Sequence, residues 1–77
     1  MVHKPIYAES NHFDELSFGI KNFVIMEDRH NFNIGDTVVI TKIESGKITE
    51  KELTFEITHC LRHAKPVKKG YVILSLK

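Results

Sequence analysis

The chain has 77 residues, with 11 Lys and Arg against 10 Asp and Glu, one Cys and no Trp. That length holds a single domain over residues 1–77 and excludes a doubly wound nucleotide-binding fold, a kinase or a (β/α)₈ barrel. The net charge of +1 gives no global pull toward nucleic acid or membrane, and a lone Cys60 cannot close an internal disulfide, which favours a reducing, cytoplasmic setting. No apolar stretch approaches the ~20 residues of a membrane span. The first ten residues hold no apolar signal-peptide core.

Residues 2–7 are extended in character. Pro5 lacks an N–H, which places this strand at a sheet edge. A helix is predicted over residues 10–18. Ser10 or Asn11 caps it, and Asn11 with Asp14 three residues on has a capping-box pattern. Asp14 and Glu15 sit early, where the helix dipole favours them. Phe13 and Leu16 share a face, and Gly19 fits the stop position. A helix of about two turns survives only by packing.

After Gly19 the period changes to two, and residues 22–26 form a strand with both faces largely apolar. Glu27, Asp28, Arg29, His30 and Asn31 make a polar loop. Asn33 to Asp36 reads as a turn, and residues 37–43 as a β-branched strand. Ser45 and Gly46 mark a hairpin turn. Leu53, Phe55, Ile57, His59 and Leu61 then alternate with Thr54, Glu56, Thr58 and Cys60, which predicts a half-buried strand. Residues 62–70 form a basic loop, and residues 71–76 the last strand. Five short strands and one helix make an α+β domain, a small curled β-sheet or barrel closed by the helix.

From Gly19 onward the pattern resembles a known family. Gly19, Ile20, Lys21, Asn22, Phe23, Val24, Ile25 and Met26, then Asn31, Phe32, Asn33, Ile34, Gly35 and Asp36, are similar to the ASCH superfamily. The nearest variant is its small phage and bacterial DUF3850 group. Leu53 to Thr58, the ending from Gly70 to Ser75, Val2 with His3, and the helix around Phe13 and Leu16 also fit. The resemblance implies a PUA-like fold. It also locates departures. The superfamily signature reads Gly-x-Lys-x-x-Glu-x-Arg. Gly19 and Lys21 keep it, whereas Val24 and Met26 stand at the Glu and Arg positions. Ile6 stands where relatives carry a Lys three residues after the early His. Some small ASCH proteins are amidohydrolases of acetylated cytidine, with a Lys, Thr and Glu as the catalytic set. Lys21 matches that Lys, but Val24 stands at the Thr and no Glu can be assigned. The resemblance therefore implies a retained scaffold with an altered site and no enzyme activity.

The residues themselves carry a few further signals. A catalytic Lys21 needs a depressed pKa from burial or a neighbouring cation, and no neighbour in the sequence supplies one. A ligand contact and a solvated lysine after the helix stop are the other two readings. His59, Cys60 and His63 do not make a metal site on a straight strand. Positions four apart lie roughly 13 Å from each other, and Cys60 points opposite to His59. The readings left are a partly buried His59 on a core face and a buried thiol. No cofactor is expected.

Charge is unevenly spread. Residues 57–77 carry five cations and no acid, whereas residues 1–56 carry six cations and all ten acids. A basic loop beside a barrel mouth suits phosphate-backbone contact, with Tyr71 near for stacking. A solubilising loop that guards a sheet edge is the plainer reading. The expected function is RNA or single-stranded nucleic-acid binding, or binding of a nucleotide-containing ligand. Lys21, Arg29, Arg62, Lys65, Lys68 and Lys69 are its contacts. The alternative is a phage-encoded module that binds or inhibits a host protein, with Val24 and Met26 in an apolar contact patch.

Overall fold

The computed structural model describes residues 1–28, 30–62 and 69–77. Their elements are β1 (Val2–Glu9), α1 (Ser10–Ser17), β2 (Phe23–Glu27), β3 (Thr37–Glu44), β4 (Lys47–Leu61) and β5 (Tyr71–Leu76). The strands form one mixed sheet in the order β1-β3-β4-β5-β2. β1 runs parallel to β3, and the other neighbours are antiparallel.

The expected five strands and one short helix are present, and of the two expected forms, curled sheet or barrel, the barrel is not formed. β1 and β2 are the two edges of the sheet, and no ladder joins them among the described residues. Helix α1 packs against β1 and β3 instead. Its Phe13 and Leu16 enter a core with Ile6, Val38, Ile40, Ile57, Val72, Leu74 and Leu76. Pro5 lies in an edge strand, as its missing N–H requires. The β1 register slips between His3 and Ile6, around that proline. The slip lets both His3 and Ile6 point inward, although they are an odd number of residues apart.

Helix α1 starts differently from the prediction. β1 runs directly into it, so Glu9 occupies the cap position without a side-chain hydrogen bond and Ser10 is already helical. Asp14 therefore lies in the second turn. It accepts a hydrogen bond from Lys42 of β3 at 3.0 Å rather than serving the helix start. The helix stop is as expected. Gly19 has φ 74°, its N–H reaches the Leu16 carbonyl at 3.2 Å, and the Ile20 N–H reaches the Glu15 carbonyl at 3.0 Å. This double closure is a Schellman turn, which favours glycine at the left-handed position.

The β3–β4 hairpin turns on Ser45 and Gly46, with φ 52° and 74°. Two successive left-handed residues match a two-residue type I′ turn. β4 begins at Lys47, six residues before the predicted Leu53. Residues 47–52 pair with β3 while mostly facing solvent, so no apolar alternation announces them.

The second half of β4 also departs from the alternation. Against β5, Ile57 pairs with Leu76 and His59 with the adjacent Ser75, leaving Thr58 as a bulge. Beyond it the faces exchange. Cys60 turns toward the core, while His59 and Leu61 are exposed. The expected partly buried His59 is corrected accordingly.

Candidate functional site

The end of α1 sets the position of Lys21. Its backbone N–H donates to the Glu15 carbonyl at 3.2 Å, just beyond the Schellman turn. Its ammonium donates to His12 Nδ1 at 3.2 Å and lies 5.4 Å from the centre of the Phe23 ring. No carboxylate is within salt-bridge distance of Lys21 among the described residues. The ammonium is therefore oriented by a ring nitrogen and an aromatic ring and keeps N–H donors for something else.

Lys21 stands on the wall of a cleft of about 340 Å³ between the two sheet edges. Ile6, Tyr7, Ala8 and Glu9 of β1 form one side, and Val24, Ile25 and Met26 of β2 the other. Side chains of a strand alternate between faces. A cleft lined by consecutive residues of both strands is therefore bounded by strand edges as well as by side chains. Leu16 and Ile40 line its inner side, and His12 joins Lys21 in its lining. The volume is at the small end for a ligand pocket.

The cleft gathers positions that are far apart in sequence. Ile6, Lys21, Val24 and Met26 all line it. Val24 and Met26 are partly buried, pack against the core and line the cleft wall. The exposed residues of β2 are Phe23, Ile25 and Glu27.

The remaining predicted contacts lie elsewhere. Asp28 follows the end of β2 and meets Gly70 through a backbone hydrogen bond of 2.8 Å. Arg62 is bound there. Its Nε and Nη2 donate to the two carboxylate oxygens of Asp28, and Nη2 also donates to the Phe32 carbonyl at 2.6 Å. Asp28 raises the Arg62 pKa, so the guanidinium is held still more firmly charged. Arg62 thus serves the structure under the nearly inaccessible Phe32. Lys69 is exposed beside this end. Since β2 is antiparallel to β5 with Glu27 opposite Tyr71, Lys21 and Lys69 are at opposite ends of β2, roughly 20 Å apart along the strand. Arg29, Lys65, Lys68 and His63 lie outside the described residues.

A family model described as a domain of unknown function, DUF3850, matches residues 3–76. The chain belongs to this family. No curated protein matches it. The match takes in α1 and all of the sheet but Val2, so the cleft of this DUF3850 domain lies wholly within it.

Three cleft residues of the DUF3850 domain had no signal in the sequence. His12 reads there only as a polar helix position, and Tyr7 and Glu9 as the end of an extended segment. His12 meets Lys21 because the Schellman turn folds the chain back beside α1. No helix of the domain is long and apolar enough to cross a membrane among the described residues.

Proposed function

We propose that this DUF3850 domain binds a nucleotide-containing ligand, free or within RNA, in the cleft between β1 and β2, without catalysis. The observation that carries this reading is the joint placement of Lys21 and apolar walls in one compact cleft. An ammonium without a carboxylate partner suits a phosphate. The apolar walls and Tyr7 suit the face of a base. The likeness to the ASCH superfamily and its PUA-like fold supports the same choice. Ile6, Val24 and Met26 put hydrocarbon where that likeness has polar groups, and Glu9, His12 and Lys21 are the charged and imidazole side chains of the lining. The basic segment ending at Lys69 is then a separate contact for a longer strand.

Calorimetric titration with nucleotides and short RNAs tests the reading, beginning at low salt of about 50 mM, where phosphate contacts are strongest. Saturable binding weakened by Lys21→Ala is the expected result. Absence of binding to every nucleotide and RNA, or turnover of acetylated cytidine, overturns it.

A second reading is favoured by a specific observation. Phe18 and Ile20 are 76% and 74% exposed, and Phe23 and Ile25 continue an apolar run onto the outer side of β2. Such a run suits a protein partner. A stoichiometric protein captured from lysate, surviving nuclease treatment and lost on Phe18→Ser with Ile20→Ser, would favour that reading over the first.

A further inference from the structure

The proposed nucleotide reading leaves open whether the cleft meets an internal phosphodiester or a chain end. We infer that Lys21 and His12 form an anchor for one terminal phosphate monoester, so that the occupant is a mononucleotide or the phosphorylated end of a strand. This inference rests on the nucleotide reading.

Three observations carry it. First, the anchor is built. His12 Nδ1 accepts from the Lys21 ammonium, the Phe23 ring lies beneath it, and the backbone at Lys21 is tied to the helix end. Second, it is a single cation in acidic surroundings. Glu9 lines the same cleft, and Glu15 Oε1 is 3.9 Å from His12 Nδ1. A strand passing through would bring successive phosphates toward these carboxylates, with like-charge repulsion at each. One end group brings a single phosphate to the ammonium, so that only one meets this repulsion. Third, Arg62 is engaged by Asp28, and Lys69 lies at the far end of β2. Neither Arg62 nor Lys69 therefore adds a cation to the cleft. His12 is a positioning residue here: its acceptor nitrogen holds the ammonium beside the cleft that both residues line.

The experiment compares three probes by calorimetry: a nucleoside 5′-monophosphate, the same nucleoside without phosphate, and a ten-nucleotide strand lacking a terminal phosphate. All four nucleosides are run in each form. The monophosphate should bind roughly tenfold more tightly than its nucleoside, as a charge-assisted hydrogen bond provides. One phosphate contact predicts only about a threefold loss between 50 and 200 mM salt. Lys21→Ala should erase the difference between monophosphate and nucleoside while leaving nucleoside affinity in place. His12→Ala should reduce the difference, and His12→Gln, which keeps an acceptor, should restore part of it. Equal affinities for nucleoside and monophosphate overturn the anchor but keep the nucleotide reading. Tighter binding of the unphosphorylated strand with a steep salt dependence also overturns the anchor. Failure of every probe overturns both.

Discussion

His3 donates from Nε2 to Asp36 Oδ2 at 2.9 Å, tying the first residues of β1 to the residue that precedes β3. The Asn33 N–H and the Met1 ammonium also donate to the same carboxylate, at 3.1 and 3.2 Å. The His3 hydrogen bond is the main cause that holds the Asp36 pKa below its ordinary 3.8; burial opposes it, and Asn33 and Met1 add to the lowering. A lowered carboxylate contributes stability that is fully present above the unfolded value. That contribution is lost as pH falls from there through the native value. Asp36→Asn should therefore lower the melting temperature at pH 7. It should also flatten the acid limb of the stability profile below about pH 4. An unchanged acid limb in thermal melts across pH would refute the assignment.

Lys42 is buried, with its ammonium on Asp14 and 5.7 Å from the centre of the Phe13 ring. Asp14→Ala removes the counter-charge and leaves the ammonium without it, for a cost of about 1–3 kcal/mol. Lys42→Met removes the charge and keeps the stem, so it should cost less. Denaturant melts of both variants check the order. Equal losses would show that the ammonium left without Asp14 carries no penalty of its own.

Arg62 and Lys21 should separate structure from binding. Arg62→Ala leaves Asp28 without its guanidinium partner and removes a donor from the Phe32 carbonyl, which should cost about 1–3 kcal/mol. Nucleotide affinity of the folded variant should change by less than about twofold, since Arg62 is outside the cleft. Lys21→Ala should show the reverse pattern. Stability and affinity measured on the same preparations decide between these outcomes.

A Cβ added at Gly46 would meet no other atom within 4 Å, so its substitution tests backbone conformation alone. Gly46→Ala should cost about 1 kcal/mol, because a Cβ at φ 74° is strained. Gly46→Asn should cost less, since Asn tolerates that conformation. Thermal melts that rank the two the other way would argue against the type I′ turn.

Much of this fold is legible in the sequence, for identifiable reasons. Tyr71 to Leu76 and the Ser45 and Gly46 turn read correctly because local chemistry decides them. Pro5 signals an edge because it cannot donate a ladder hydrogen bond. The start of β4 is hidden because residues 47–52 face water and need no apolar pattern. The burial of Cys60 in place of His59 depends on the register of β5, which no local pattern encodes. Strand number alone suggests barrel closure, yet α1 covers part of the inner face instead. At the site, Lys21 stands out through its place in a recognisable pattern. His12 does not, since only the path of the chain after Gly19 brings the two together.

Thr58 carries a consequence wider than its own side chain. It acts as a parity bit for the end of β4: with one residue more than its partner strand needs, even-numbered Cys60 is the inward position beside odd-numbered Ile57. Removing that extra residue would leave His59, Cys60 and Leu61 opposite Ser75, Leu74 and Ile73, whereas removing His59 with the bulge and the pairing held would turn every later side chain of β4 over. The Cys60 position would then carry Leu61, and the outward position that precedes it would carry Cys60. The segment is thus addressed by counting rather than by composition, and a length change there is a different kind of mutation from any substitution.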